Sequence, residues 1–372
     1  MELKRKTFYL LILFLILIPL WGCVGVGEGN WTPSNLFALI VGVDSGYTSG
    51  NLSSVDLIGE SFHTQNILSG FSGDTIIKTF KKYAFIVERP SWGTIPSPTK
   101  VYEAGRWERP IKEYTLGKNI YDMVFLGEDK AYAIPWGEPF IQKINPLTGE
   151  EIRRIDLSVY SYGNDNSPNS TKGLVAEGKL FIILQRFDSG SFDYAPGTVV
   201  IIDLDSDTIK RALTLNGKNP MDMEYHNRKI YIVETGNYFN PNDDIIDVID
   251  LNKDDLKAEK LCDNPLNDMD IYSLEITEKG EAYILGGDWY TCKVFKINLH
   301  TGILGNEIYE GGYITNIKYD PYSKYLFILD RGRGNGDGKL IIYDTEEEKI
   351  IKEILEENLG YPPYSIDILA FD

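Results

Sequence analysis

Acidic and amide side chains recur at matching places along this sequence. Asp74, Asp122, Gly173, Asp222, Ser273, Asn316 and Asp367 each stand near the start of an apolar strand pattern. Asp44, Glu88, Trp136, Arg186, Glu234, Asp288 and Asp330 each stand near the end of the pattern that pairs with it. Nine of these fourteen positions are carboxylates, so a fold that gathered them would build a ring of hard oxygen ligands. Such a ring suits Ca²⁺, or draws in a cation through its summed field. Asp122, Asp222, Glu234, Asn316 and Asp367 form the candidate metal or ligand set. A Ca²⁺ held there would polarise a carbonyl while a neighbouring carboxylate acts as base, the chemistry of metal-assisted hydrolysis. The bland reading is that Asp and Asn at strand ends only cap turns.

Other chemistries find less support in the residues. His63, His226 and His300 are the only histidines, and the last two fall in turns, which disfavours a zinc, copper or haem site built on imidazoles. No Gly-x-Ser-x-Gly elbow occurs, and the glycine-rich segment 332–338 (GRGNGDG) follows a strand without opening a helix, so it reads as a loop rather than a phosphate cradle. Cys262 and Cys292 form an even pair that an oxidising compartment could bridge. Asn30, Asn51 and Asn169 stand in Asn-x-Ser/Thr sequences, the pattern of glycan acceptors.

The elements that must position these residues repeat. An apolar strand ending in a polar turn appears at 140–149 (FIQKINPLTG), 199–207 (VVIIDLDSD), 245–254 (IIDVIDLNKD), 294–302 (VFKINLHTG) and 340–346 (LIIYDTE), with weaker copies at 53–56 and 100–103. From Asp56 to Asp344 there are six steps averaging about 48 residues, room for four short strands and their turns. A strand pair recurs out of phase with this element, as at 222–233, 122–134, 173–184, 273–285, 316–329 and 74–87. The seventh pair is split between 366–371 at the C-terminus and 36–43 at the N-terminus. A ring of blades needs such a joint, because otherwise two sheet edges stay exposed. The expectation is an all-β, seven-bladed β-propeller over residues 36–372. In it, strand starts and neighbouring strand ends would share one face around the channel mouth. Two polar or aromatic insertions, 160–172 and 187–197, interrupt the pattern and are expected as surface loops that cover a blade edge or bind.

The repeat resembles that of the YVTN or YncE-like seven-bladed β-propellers, a Tyr-rich strand followed by a Val-x-Val-Ile-Asp-x-x-Thr-like one, across about residues 36–372. The resemblance implies architecture and leaves activity open, since one fold carries many functions. Segments 146–150 (PLTGE) and 299–302 (LHTG) also look like quinoprotein-type repeats, although the Trp that usually closes those repeats is missing from most copies.

The N-terminus speaks to location. Lys4, Arg5 and Lys6 precede an apolar run from 8 to 20, the order of a secretory signal, and the run is short for a comfortable bilayer span. Residues 20–23 (LWGC) resemble the lipobox of prokaryotic lipoproteins, which implies cleavage after residue 22 and acylation of Cys23. Residues 1–22 then read as a signal peptide and 23–35 as a flexible tether. A formal charge of −18 disfavours nucleic acid and anionic lipid headgroups as partners. The expectation is a lipid-anchored, extracytoplasmic propeller of the cell envelope that binds or scaffolds a protein or small ligand without catalysing a reaction. The alternatives are a Ca²⁺-dependent, lactonase-like hydrolase and a quinone-cofactor dehydrogenase.

Overall fold

Strands dominate because Val, Ile, Phe and Tyr cluster in short runs between Gly, Asn and Asp turns. The computed structural model describes residues 31–372 except Glu60 and Trp289, so the predicted signal peptide, Cys23 and most of the tether lie outside the described residues. It shows seven four-stranded antiparallel sheets, the seven blades expected. Blade 1 joins the C-terminal strand Pro363–Phe371 to Asn35–Val43, Gly50–Asp56 and Thr64–Phe71. Blades 2 to 7 follow in chain order, with inner strands Thr75–Phe80, Ile120–Gly127, Ser170–Ala176, Pro220–His226, Asp270–Ile276 and Ile314–Asp320.

The joint in blade 1 pairs Leu39 with Asp367 and Phe37 with Leu369 in register. Among the described residues there is one α-helix, Glu356–Leu359, and it docks on the third strand of this blade, where Asn51 Nδ2 and Ser53 Oγ both donate to the Leu359 carbonyl (2.5 and 2.7 Å). Asn51 is therefore a buried structural amide rather than an open glycan acceptor. Asn169 is buried too, and its Oδ1 accepts the Phe187 N–H at 2.9 Å.

The core consists of seven apolar clusters, one at each blade-to-blade contact. Between blades 4 and 5, for example, Phe181, Ile183, Val199 and Ile201 pack on Met223, Ile230, Ile232 and Ile249. Second and third strands are buried on both faces, whereas outer strands such as Glu151–Asp156 are mostly exposed. Each fully buried Ile or Phe contributes about 1.5–3 kcal/mol, so the blade contacts carry most of the stability. Cys262 lies in the outer strand of blade 5 and Cys292 in the third strand of blade 6, and both are free thiols rather than a disulfide.

Candidate functional site

Inner strands line the channel, and their register decides which side chains reach it. Asp122, Asp222, Ser273 and Asn316 occupy one layer around the channel, together with Ile76, Lys172 and Ser365. The chain thus gathers three of the five nominated residues in one layer. Asp367 lies one pleat deeper, in a layer shared with Lys78, Glu224, Glu275 and Lys318.

These carboxylates do not point freely at the channel axis. Asp122 is ion-paired with Lys78 at 2.5 Å, and its other oxygen accepts the Gly173 N–H of the next blade at 3.0 Å. Asp222 pairs with Lys172 and accepts from Ser273 Oγ (2.6 Å) and the Leu274 N–H (3.0 Å). Asp367 accepts the Thr79 N–H at 2.7 Å, and Glu275 accepts the Tyr319 N–H at 3.1 Å. Each is a staple between neighbouring inner strands, with Lys172 also reaching Glu224 at 2.9 Å and Lys318 reaching Glu275 at 3.4 Å. Burial alone would lower the Lys172 pKa, but Asp222 and Glu224 hold it well above the usual lysine range. Burial pushes Glu275 up to about 7 despite Lys318 and Lys172. The predicted acidic ring is therefore a throat of mixed charge, since Lys78, Lys172 and Lys318 stand among the carboxylates and leave Glu224 and Glu275 as acidic neighbours.

Glu234 is not in the channel at all. It is fully buried between blades 4 and 5, beside Gly217 and Ile245 and facing the Asp247 carboxyl. Burial, then Asp247, holds it well above the usual carboxylate range. A second buried acid pair sits nearby, where the loops of blades 5 and 6 cross. Asp244 accepts the Ile271 N–H and Asp270 accepts the Phe239 N–H, both at 2.8 Å. Burial and the Asp270 charge push Asp244 up to about 8. Among the described residues no three His, Cys, Asp or Glu side chains come together as a metal set, and the five residues nominated for Ca²⁺ do not fit one.

The strand-end residues serve loops. Asp44 accepts from Thr48 and Ser49, Glu88 binds Lys100 at 2.9 Å and the Ser72 N–H at 2.8 Å, and Asp288 accepts the N–H groups of Tyr290 and Thr291. Asp330 accepts from Tyr309 Oη at 2.6 Å and from Gly332 N–H. Arg186 ties the two insertions together, donating to the carbonyls of Tyr160 and Pro196.

What occupies the mouth above the throat is aromatic. Six inner strands carry a β-bulge one residue before the upper channel layer, at Tyr121, Thr171, Met221, Tyr272, Thr315 and Tyr364. A bulge re-aims its side chain, here toward the mouth. In blades 3, 4 and 5 the turn before the strand uses Asn119, Asn169 and Asn219 in the left-handed region (φ 54°, 59° and 51°), which Asn tolerates better than most residues. The Arg89 guanidinium lies 4.9 Å from the Tyr121 ring and donates to Tyr364 Oη at 3.0 Å, while Asp74 holds both Arg89 and, at 3.0 Å, Tyr364 Oη. Arg331 lies 4.7 Å from the Tyr47 ring and 5.6 Å from that of Tyr364. From Tyr121 the aromatic surface continues through Trp136 (6.2 Å) and Phe187 (6.2 Å) to Tyr194 (4.9 Å). Trp136 Nε1 donates to Gln185 Oε1 and Gln185 Nε2 to Asn219 Oδ1, both at 2.7 Å. Tyr238, 45 % exposed, closes the far side beside Met221. Burial raises the phenols of Tyr121, Tyr194 and Tyr364 above their ordinary range and pushes Tyr238 and Tyr313 up to about 12. The insertion at 187–197 is a small hairpin whose Phe187 and Tyr194 line this surface, so it both covers blade 4 and extends the mouth.

The opposite face holds a cleft of about 740 Å³ between blades 5 and 6, lined by His226, His300, Lys229, Lys279 and Lys296. Lys279 and Lys296 there are paired with Glu346, Glu348 and Glu281.

No protein-family model matches the chain, and no curated protein matches its sequence. Solved structures do resemble it. A protein from Lactobacillus plantarum superposes with a TM-score of 0.65 at 11 % identity, covering 90 % of this chain and 99 % of that one. The periplasmic gluconolactonase of Pseudomonas aeruginosa gives 0.61 at 11 % identity with the same coverage. A protein provisionally named a 6-phosphogluconolactonase, from Bacteroides fragilis, gives 0.60 at 11 % identity, covering 90 % of this chain and 98 % of that one. At such identities the likeness shows the seven-bladed β-propeller fold that this chain shares with them.

Proposed function

We propose that this chain is an envelope propeller, lipid-anchored through Cys23, that binds a small polyhydroxylated ring compound, a sugar or sugar acid, in its aromatic mouth. The observation that carries the reading is the stacked surface Arg89–Tyr121–Trp136–Phe187–Tyr194, with the amides of Gln185 and Asn219 beside it. Aromatic faces cover the C–H faces of a ring, neutral phenols and amides exchange hydrogen bonds with its hydroxyls, and two arginines favour a carboxylate or phosphate substituent. The apolar run and the sequence LWGC at residues 20–23 support the anchor.

A second reading, hydrolysis of a sugar lactone, draws on the two gluconolactonase-named neighbours and on Asp74, whose carboxylate sits at the mouth between Arg89 and Tyr364. Asp74 would serve as base toward water, with Arg89 and the phenols receiving the carbonyl charge.

Both readings are tested by titrating the protein with gluconate, 6-phosphogluconate and glucono-lactone, followed by calorimetry and by acid release at constant pH. Saturable binding that weakens at least about tenfold in Arg89→Met supports the mouth. Binding unaffected by Arg89→Met and Tyr121→Ala, or no binding of any of the three, overturns it. Acid release that stops in Asp74→Asn while binding survives moves the lactonase reading ahead.

A further inference from the structure

The chain enters the propeller on the face opposite the mouth. Inner strands run from the mouth to the far face, so Phe371, the end of the blade 1 inner strand, and Asn35, the residue it pairs with, both lie there. Trp31 is fixed beside them. Its Nε1 donates to Asp372 Oδ2 at 3.0 Å, and its ring meets Tyr322 edge-on at 5.3 Å between centroids. Tyr322 occupies the far-face turn of blade 7, between strands Ile314–Asp320 and Tyr325–Asp330. Ile58 stands in the turn that follows the third strand of blade 1 on the same face.

All three side chains are open, with Trp31 46 %, Tyr322 45 % and Ile58 47 % exposed. A Trp and a Tyr with apolar bodies and polar tips are the side chains that settle at the boundary between headgroups and acyl chains. The stretch from Cys23 to Trp31 spans at most about 29 Å when fully extended. The nine-residue strand Pro363–Phe371 is about 27 Å long. An anchor at Cys23 would therefore have to be drawn out to almost its full length along the blade to bring the mouth down onto the bilayer, whereas it meets the far face without extension.

We infer that Trp31, Tyr322 and Ile58 form a membrane-facing patch that seats the far face on a bilayer and holds the aromatic mouth outward. The patch rests on the lipid-anchor reading and names its occupant as a zwitterionic bilayer, because a chain of formal charge −18 gains nothing from anionic headgroups. Anchor and patch act together, one by acyl insertion and the other by orientation. The far-face cleft lined by His226 and His300 then opens toward the membrane and the mouth toward diffusing solutes.

The test uses the full chain isolated from its producing cells and reconstituted in phosphatidylcholine vesicles with brominated acyl chains. Mass spectrometry of the N-terminal peptide comes first, and a diacylated Cys23 is expected. An unmodified Cys23 removes the anchor reading and the patch with it. With the anchor present, brominated lipid is expected to quench tryptophan fluorescence, and Trp31→Phe to reduce that quenching at least twofold. In the Trp31→Phe background, Tyr322→Trp is expected to restore quenching and Phe192→Trp, on the mouth side, to leave it low. Quenching unchanged by Trp31→Phe, or stronger from Phe192→Trp than from Tyr322→Trp, overturns the orientation while the anchor stands. Both substitutions that introduce Trp fall on exposed side chains, and urea melts of each variant confirm that the propeller is intact.

Discussion

In the throat, Asp122, Asp222 and Glu275 are buried against lysine ammonium groups and backbone N–H donors; in blade 5, Glu234 and Asp244 are buried against other carboxyls. The same residue type is thus handled in two ways. Cations and N–H donors offset part of the cost of burying a carboxylate, although burial still pushes Glu275 up to about 7, whereas burial without a cation, beside a second carboxyl, drives Glu234 and Asp244 toward the protonated form. The throat is therefore an electrostatic joint between blades, and the blade 5 pairs are proton-holding contacts within and beside a single blade. Composition alone cannot separate these cases, since both are acidic residues at strand ends.

Breaking the throat should have the largest effect. Lys172→Met leaves Asp222 and Glu224 without their cation, and a loss of about 3 kcal/mol is expected in urea unfolding at pH 7. A loss under about 1 kcal/mol would show that the throat charges are solvated rather than paired. Next comes the blade 5 group, where the sign is opposite. Asp244 has a folded-state pKa raised to about 8, so the stability it contributes is fully present below its ordinary value near 4 and is lost as pH climbs toward 8. Asp244→Asn, which keeps the shape and cannot ionise, should gain on the order of 1–3 kcal/mol over the parent at pH 8 and almost nothing at pH 4.5. Parallel stability-versus-pH curves for parent and variant would remove the proton-holding account. The smallest effect is expected at the outer edge of blade 5, away from its buried acids. Cys262→Ser should change stability by less than about 0.5 kcal/mol, and protein held folded under oxidising conditions, then denatured without oxidant or reductant and titrated at once, should still show Cys262 and Cys292 as thiols.

The fold was open to reading because its signal lies in what each blade must repeat. Third strands at 199–207, 245–254 and 340–346 end in Asp turns, and the split pair of 36–43 with 366–371 points to the ring closure that the structure shows. The site was harder, for two physical reasons. Charge pairing between neighbouring inner strands joins residues about 50 positions apart, as with Lys172 and Asp222, and a lysine placed once in a blade leaves no periodic trace. The bulges at Tyr121, Tyr272 and Tyr364 turn residues that read as strand interior toward the mouth. A trace of this was present, since Tyr stands directly before the upper channel residue in three blades. Asp122 and Asp222 share a layer, as their places at strand starts predict, and each meets a lysine that the strand pattern does not announce, because that pattern locates a side chain without naming its neighbour.

The closure of blade 1 has a consequence for how the ring assembles. Its innermost strand, Pro363–Phe371, pairs with Asn35–Val43, which lies more than 300 positions away along the chain. Blades 2 to 7 each close on strands nearby in sequence, but the ring stays an open arc with two bare edges until these two segments meet. A long-range step of this kind comes late, and anything that delays it prolongs the exposure of those edges to pairing with another chain.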